Sequence, residues 1–534
     1  MNHTITFAAD AQGPAIKTYR PHWSPCVGAG RAAEALRAGW MEQLALVHRE
    51  CGFERVRFHG LFHDDMFVYR QNADGSVTYN FQYVDEIFDR LLDLGVRPFI
   101  ELGFCPGDLA RPSETVFWWK GHSAPPTDFG KWGELVRRFA EHVVARYGID
   151  EVANWYFEVW NEPNLEPFWH GTKSEYFKLY QVSAEVIKAV DPRLKVGGPS
   201  TSNFVPDGRF DGETENLSEH KTVTAAKDLD ALEWKPVWLD DFLAFCAENH
   251  LPVDFVSVHP YPTDWALDEH GTGMKLTRGV DATPQDLQLL RAIMDAGAFP
   301  DAEIHLTEWN CSSSPRDFTH DYLQAATYVA KANIDSIGYV DSLSFWTFTD
   351  IFEESGAGDT AFHGGFGMVN FQGIPKPTFH AYRLLNTLGG EVLARSGNGM
   401  VTRDPQTGRL AALAYHYPPE VAQTVPGSFD SRAVAEQTLA MGSPVEMVIE
   451  LTGLAPGTEF VVERVDRDHG DALSAWKRMG SPDPISREQT RQLKEAARAT
   501  AVQTCCVAHD GTLRIARTLE PWGLLSLLQT TPFP

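Results

Sequence analysis

The sequence has little positive charge and no long hydrophobic run. Lys and Arg together number 46 against 72 Asp and Glu, so the formal net charge is −26 at pH 7. A surface with this excess of negative charge repels phosphate backbones and anionic lipid headgroups. No segment approaches the roughly 18 uninterrupted apolar residues that a membrane-spanning helix needs. We therefore expect neither nucleic acid nor a membrane among the partners of this protein.

Cysteine is scarce too, and no cluster of residues has the spacing of a metal site. The seven cysteines are an odd number and lie at positions 26, 51, 105, 246, 311, 505 and 506. The adjacent pair at the end lacks zinc-ligand spacing, so we predict neither a metal nor another cofactor. Residues 1–30 contain no basic segment followed by a long apolar stretch. Because reduced thiols suit the cytoplasm, we expect a cytoplasmic protein.

The 534 residues are too many for one ordinary core, and between residues 30 and 385 the pattern predicts an α/β fold. Short apolar segments alternate there with amphipathic stretches, as in βαβ units of a parallel sheet. With an early strand near 18–27, the number of repeats is about eight, as in a TIM barrel. An open doubly wound sheet would alternate similarly, but no GxGxxG follows any strand, and we interpret "GAGRAAEAL" (28–36) as a helix-initiating turn. The other predicted strands are 53–60, 96–104, 155–163, 194–200, 253–262, 303–310 and 342–350.

The pattern changes after about residue 390, where apolar and polar residues alternate between Gly, Pro and Asn. This is typical of antiparallel sheet, and we predict a β-sandwich at 389–534 with one helix at 486–500, opened by a Ser486/Gln489 capping box. The barrel is assigned to 21–388. Residues 1–20 are expected to supply a strand that pairs with the sandwich. Two polar segments, 206–232 and 264–284, are predicted to be long barrel loops.

In a barrel the carboxyl ends of all strands meet at one mouth. Two glutamates, Glu162 and Glu308, end predicted strands four and seven and would face each other there although they are far apart in sequence. The mouth as a whole is predicted to carry His59, Glu101, Asn161, Glu162, His259, Tyr261, Glu308, Asn310, Trp346 and Asp350.

Two opposed carboxylates among aromatic side chains suit cleavage of a glycosidic bond. One carboxyl must be protonated near neutral pH to assist the leaving oxygen, and the other must be ionised to attack the anomeric carbon. Neither glutamate motif is specific alone, and His259 could be an ordinary core histidine. Arg57 could simply balance a neighbouring glutamate. A non-catalytic carbohydrate-binding barrel is the alternative, although pure binding needs no opposed carboxylates.

The segments "FEVWNEPN" and "HLTEWN" resemble those of the retaining (β/α)₈ glycosidases, in which the acid/base follows strand four and the nucleophile ends strand seven. More narrowly, the chain resembles glycoside hydrolase family 39, the β-xylosidases and α-L-iduronidases. Its similar segments are "VGAGRAAEALRAGW", "FERVRFHGLFHDDM", "FVSVHPYP", "SLSFWTFTDIFEE" and "VERVDRDHGDALSAWKRMGSP". The resemblance implies Glu162 as acid/base and Glu308 as nucleophile. It also implies a sugar pocket containing His59, Asn161, His259, Tyr261, Trp346 and either Glu353 or Glu354.

Among the family's substrates, xylo-oligosaccharides are favoured. An iduronidase needs a cation for the uronate carboxylate, and neither Arg57 nor Arg316 is clearly free for that task. The bulky loop around Phe117, Trp118 and Trp119 is expected to close one end of the groove. We therefore expect a retaining, exo-acting β-xylosidase, with an iduronidase-like enzyme, an arabinosidase or an endo-glycosidase as alternatives. The sequence leaves room for a homo-oligomer.

Overall fold

A computed structural model describes residues 4–165, 168–202, 204–205, 234–267, 273–421, 425–427 and 431–530. Eight parallel strands close into a barrel in which each strand pairs with its neighbours in chain order. A second region of antiparallel sheets follows, so the predicted fold class is confirmed. The barrel strands are Val27–Arg31, Arg55–His59, Arg97–Leu102, Tyr156–Val159, Lys195–Ser202, Phe255–His259, Glu303–Trp309 and Ser342–Phe345.

The position of the first barrel strand differs from the sequence prediction. The strand is Val27–Arg31, so the strand predicted near 18–27 is wrong. The segment 28–36, interpreted as a helix-initiating turn, is strand up to Arg31, and a short 3₁₀ helix begins only at Ala32 and ends at Leu36. Glycine is unfavourable in the interior of a strand, but here it permits close packing of strand one against its neighbour. A Cβ on Gly28 would lie 2.4 Å from a ring carbon of Trp346. Gly28 therefore lets strand one approach strand eight and Trp346, which follows it.

Amphipathic helices cover the outside of the barrel. Their ends follow ordinary capping rules: Asp128 accepts from two N–H groups of its helix, and Thr172 forms a capping box with Glu175. The helices of this domain are Ala38–Cys51, Gln82–Asp93, Phe129–Tyr147, Ile149–Val152, Lys173–Val190, Leu239–Glu248, Ala282–Ala296, Leu323–Asp335 and Pro377–Leu385. Across the described residues, none of the helices combines the length and the apolar character needed to cross a membrane.

Short two-stranded ribbons lie within the loops of the barrel. They pair Tyr69–Gln71 with Val77–Tyr79, Thr115–Val116 with Gly121–His122, Phe204–Val205 with Lys235–Pro236, and Thr263–Leu267 with Gly273–Thr277. The last ribbon occupies the predicted loop 264–284, of which residues 268–272 are outside the described part of the chain. The predicted loop 206–232 lies entirely outside it.

Two sheets form the second region. In the larger one the strand order is Lys17–Thr18, Glu391–Ser396, Gly399–Arg403, Leu410–Tyr415, Leu524–Gln529, Glu459–Val465 and Ala501–Cys506. The smaller one contains Thr4–Asp10, Val445–Thr452 and Leu513–Leu519. Its first strand runs parallel to the second, with Thr4 opposite Glu446. Side chains of both sheets, including Phe7, Ile449 and Phe460, form one buried cluster.

Three helices accompany these sheets, at Arg432–Leu439, Ala472–Arg478 and Arg487–Arg498. The third corresponds to the helix predicted at 486–500, and its Ser486/Gln489 capping box is present. The sequence pattern does not indicate the other two. The third helix also contacts the barrel domain, because the Ala497 carbonyl lies 2.7 Å from His380 Nε2.

Candidate active site

The two predicted glutamates meet at the barrel mouth. Glu162 follows strand four in a left-handed conformation (φ 46°), which costs a non-glycine residue about 1–2 kcal/mol. Its N–H donates to the Ser200 carbonyl at 2.8 Å, which holds the residue in this conformation. Glu308 lies within strand seven. A carboxylate oxygen from each glutamate and a ring nitrogen of His259 all lie within 4.8 Å of one another.

Arg57, a fully buried residue of strand two, connects the strands beneath the mouth. Its guanidinium donates to Glu158 at 2.5 Å, to Glu308 at 2.7 Å and to Asn161 Oδ1 at 2.8 Å. The same group forms an ion pair with Glu101 at 3.0 Å. One cation thus faces three carboxylates. The expectation that Arg57 only balances a neighbouring glutamate describes part of its role, since it also orients Glu308 and Asn161.

Each oxygen of Glu308 has a protein partner. Oε1 accepts from Arg57, and Oε2 accepts from the Tyr261 hydroxyl at 3.2 Å. Burial raises the pKa of Glu308 above its ordinary value, and the charge of Glu162 adds to this, while Arg57 opposes it. With its rotamer fixed on both sides, Glu308 presents a carboxylate of defined orientation to the mouth.

Glu162 is in a different electrostatic environment. Burial raises the pKa of its carboxyl to about 7, although Ser202, His59 and Arg57 favour the charged form. Its Oε1 lies 3.0 Å from His259 Nδ1, and burial lowers the pKa of His259 to about 4. A carboxyl that titrates near neutral pH can give up and recover a proton under physiological conditions, as a general acid and base must.

His59 carries a positive charge at the edge of the site. Burial opposes that charge, but the Glu101 carboxylate, 2.6 Å from Nδ1, raises the pKa of His59 to about 10. The other ring nitrogen lies 3.6 Å from Glu354. The imidazole stacks against Phe117 at 5.9 Å between centroids and lies 4.9 Å from the Trp346 ring. These groups form a polar corner with an aromatic wall, suited to a sugar ring.

The structure shows which of two adjacent glutamates, Glu353 or Glu354, faces the site, a choice that the sequence leaves open. Glu353 is engaged by Arg31 at 3.1 Å and Arg37 at 2.6 Å. Glu354 instead points to His59, and burial raises the pKa of its carboxyl. Glu354 is therefore the one at the site.

Asn161 has one polar atom left for a ligand. Its Oδ1 accepts from Arg57, but its buried Nδ2 has no partner among the described residues. An unpaired buried donor is costly unless a bound molecule satisfies it. The donor belongs to the residue directly before Glu162, so it suits a hydroxyl of a bound sugar.

Two residues predicted for the mouth have structural partners instead. Asn310 donates to the Trp346 carbonyl at 2.5 Å and accepts from the Cys311 N–H at 2.7 Å. Asp350 is buried in an ion pair with Lys376 at 2.7 Å. Both stabilise the loops behind the site.

Three residues that contact the site were missed by sequence reasoning. They are Glu158, Ser200 and Thr307. Glu158 leaves a detectable signal, since a fully buried charge inside the apolar segment "YFEV" requires a partner. Ser200 and Thr307 leave none, because hydroxyl residues are common in barrel strands.

The loop with Phe117 lies against the loop that follows Glu162. Phe117, itself in a left-handed conformation (φ 64°), contacts Phe168 at 5.4 Å and Trp119 at 5.2 Å between ring centroids. Trp119 is buried, whereas Trp118 is 65% exposed. Its backbone N–H donates to the Glu354 carbonyl at 2.8 Å, which ties the loop to the segment after strand eight.

The spacing of Glu162, His259 and Glu308 is short enough for a shared cation. Arg57 already supplies a positive charge 2.7 Å from Glu308, and His59 supplies another close by. We therefore assign no metal to the site.

Comparison with known proteins gives a match over nearly the whole chain. The model of a family described as "Glycosyl hydrolases family 39" matches residues 8–514. A β-xylosidase of Geobacillus stearothermophilus is 38% identical over 486 residues, covering 90% of this chain and 86% of the relative. A β-xylosidase of Caldicellulosiruptor saccharolyticus is 36% identical over 480 residues, covering 89% and 88%.

Solved structures agree with the sequence comparison. The crystal structure of a family 39 enzyme from Xanthomonas axonopodis pv. citri superimposes with a TM-score of 0.83 at 32% identity. The match covers 99% of this chain and 98% of that one. Similarity on this scale extends to both the barrel and the second region.

Proposed function

The chain belongs to glycosyl hydrolase family 39 and is therefore a glycoside hydrolase, and on this premise we propose that it is a β-xylosidase that releases xylose from xylo-oligosaccharides. The observation that carries the proposal is the pair Glu162 and Glu308, held within 4.8 Å at the barrel mouth in unlike environments. The two β-xylosidases at 38% and 36% identity support the choice of sugar.

We propose a double displacement. Glu308 attacks the anomeric carbon while Glu162 protonates the departing oxygen, which forms a glycosyl ester on Glu308 and frees the rest of the chain. Glu162, now ionised, takes a proton from water, and the resulting hydroxide equivalent attacks the same carbon. This step releases xylose and restores both carboxyl groups. Arg57 and Tyr261 hold the attacking carboxylate in line throughout.

We predict that the first-formed product keeps the anomeric configuration of the substrate. Retaining enzymes have carboxyl groups about 5–5.5 Å apart, whereas inverting enzymes need about 6.5–9.5 Å to accommodate a water. Oxygens within 4.8 Å support the retaining mechanism. Proton NMR of the sugar released in the first minutes distinguishes the two anomers. An inverted product would exclude Glu308 as a nucleophile.

The charges around the site favour a neutral pentose over a uronate. The site cations are already paired: Arg57 contacts three carboxylates, and Arg31 contacts Asp65 and Glu353. Arg316 donates to backbone carbonyls. Glu354 adds a carboxyl group that would repel a substrate carboxylate. An iduronidase-like specificity is therefore the weaker alternative.

We propose cleavage from the non-reducing chain end. The Phe117 loop lies against both the Glu162 loop and the Glu354 segment and would block a continuing chain on that side. An arabinopyranoside differs from a xylopyranoside only in the configuration of hydroxyl-bearing carbons, so some hydrolysis of arabinosides is expected.

Incubation with xylohexaose tests substrate and mode of attack together. We expect xylose and xylopentaose as the first products by chromatography of early time points. A 4-nitrophenyl uronide serves as control and should react far more slowly than the corresponding xyloside. Early xylobiose and xylotriose without free xylose would indicate an endo-acting enzyme, and preference for the uronide would exclude the β-xylosidase assignment.

We further propose a cytoplasmic location, where oligosaccharides released from xylan would be degraded after import. All seven cysteines are free thiols, and five of them are buried. Such thiols suit a reducing compartment.

A further inference from the structure

A buried chain of hydrogen bonds starts at Thr307, the residue next to Glu308. Thr307 Oγ1 lies 2.7 Å from Glu158 Oε1 and 2.8 Å from His259 Nε2. Glu158 is bound at 2.5 Å by the Arg57 guanidinium, so it is an ionised carboxylate that can only accept hydrogen bonds. Thr307 has one hydroxyl hydrogen, and that hydrogen must therefore point to Glu158.

This direction determines where His259 carries its proton. Because the hydrogen of Thr307 points to Glu158, its oxygen faces His259 as an acceptor, and the 2.8 Å contact requires a hydrogen on Nε2. A neutral imidazole has one ring proton, so Nδ1 is left with a lone pair. Nδ1 lies 3.0 Å from Glu162 Oε1. The hydrogen in that contact must then come from Glu162.

We propose that Thr307 is a positioning residue that keeps neutral His259 in its Nε2–H tautomer, so that Nδ1 accepts the acidic proton of Glu162 in the resting enzyme. The proposal rests on the acid/base role proposed for Glu162. It explains how the Glu162 carboxyl stays protonated: its O–H donates a hydrogen bond to His259 Nδ1 until the leaving oxygen of a substrate replaces the imidazole as acceptor.

The electrostatics of the site agree with this assignment. Burial lowers the pKa of His259 to about 4, which keeps the ring neutral, and raises the pKa of Glu162 to about 7. Charged and titratable groups face this pair from barrel strands two, three, four, six, seven and eight or the loops that follow them. They are Arg57 and His59, Glu101, Glu158, Tyr261, Glu308 and Glu354. Thr307→Val replaces none of these groups; it removes the short bonds of Thr307 to Glu158 and to His259 Nε2, and leaves that nitrogen only the longer 3.3 Å contact with Ser200 Oγ.

The pH dependence of xylobiose hydrolysis separates this role from a merely structural one. A general acid works only while protonated, so kcat/KM falls as pH rises through the pKa of Glu162. In Thr307→Val the ring can move its proton to Nδ1 and donate to the Glu162 carboxylate, which stabilises the ionised form. We expect the alkaline limb to move down by about one pH unit. Thr307→Ser retains the hydroxyl and should keep the wild-type limb.

A substrate with an acidic leaving group provides the internal control. For 2,4-dinitrophenyl xyloside, kcat/KM needs no proton from Glu162, so its alkaline limb should be the same in Thr307→Val, Thr307→Ser and the wild type. Identical xylobiose profiles for the valine and serine variants would overturn the proposal.

A measurement on the unaltered protein is independent of activity and of any Thr307 variant. In the ¹⁵N NMR spectrum of histidine-labelled protein, His259, assigned by comparison with His259→Gln, should show a protonated Nε2 and a bare Nδ1. A protonated Nδ1 would overturn the proposal. If the wild type hydrolyses no xyloside, the proposed function fails, and this spectrum still decides which tautomer His259 adopts; the same spectrum of Thr307→Val then shows whether Thr307 sets it.

Discussion

Replacing Glu308 by alanine should lower kcat for every xyloside by about 10⁶-fold, the scale seen when a covalent nucleophile is deleted. The reason is that, among the described carboxylates around the mouth, Glu162 is the proposed acid/base and the others are engaged elsewhere. Glu158 and Glu101 are held beneath the site by Arg57, and Glu354 lies beyond His59. Steady-state kinetics with xylobiose and with 2,4-dinitrophenyl xyloside should show the same loss.

Two controls make the result specific to Glu308. Glu303→Gln alters a glutamate at the opposite end of the same strand, where it pairs with Lys195, and should keep near wild-type activity. Azide added to Glu308→Ala should restore turnover of the dinitrophenyl substrate, with a glycosyl azide of inverted configuration as product. Substantial residual activity without azide would show that another group is the nucleophile.

Replacing Glu162 by alanine should have an effect that depends on the leaving group. General acid catalysis is typically worth about 10²–10⁴-fold, and kcat/KM for xylobiose should fall by that factor. The corresponding value for 2,4-dinitrophenyl xyloside should change little, because this phenolate departs without a proton. Its kcat should fall, since Glu162 also activates the water of the second step, and a burst of phenolate should precede the slow phase.

The pH profile gives an independent check on Glu162. The pKa of about 7 means that the wild type loses kcat/KM for xylobiose as the pH rises through neutrality, where the acid becomes ionised. The alanine variant, measured with xylobiose, should lack this limb, because it has no acid at this position left to ionise. Equal losses on both substrates would exclude Glu162 as the acid.

The barrel and the glutamate pair are predictable from sequence because one physical rule connects them. Alternating strands and helices place every strand's carboxyl end at a common mouth, so a glutamate after strand four and another in strand seven must converge. The local alternation of strands and helices is therefore sufficient to predict both the barrel and the meeting of the two glutamates. It also identifies the helix at Arg487–Arg498, whose capping residues are adjacent in sequence.

Features that depend on three-dimensional packing are not predictable in this way. The first strand has glycine at position 28 because it approaches Trp346 there, a residue more than three hundred positions away. The difference between Glu353 and Glu354 depends on Arg31 and Arg37, from another part of the chain. No periodicity in the sequence carries this information.

The hydrogen-bond chain beneath the site is likewise not predictable from the sequence. Glu158 and Thr307 are 149 positions apart, and each looks ordinary within its own strand. Only the closed barrel brings the carboxylate of one to the hydroxyl of the other. The direction of the bond then follows from Arg57, a residue of a third strand.

The parallel pairing of Thr4–Asp10 with Val445–Thr452 sets an order of events during synthesis. Thr4 leaves the ribosome 442 residues before Glu446, the residue opposite to it. At about 5–20 residues per second, the first strand waits about 20–90 s for its partner. All eight barrel strands emerge within that interval. The barrel can therefore close first, while the opening strand remains unpaired until Val445–Thr452 has been made and Phe7 can enter the shared cluster of the two sheets.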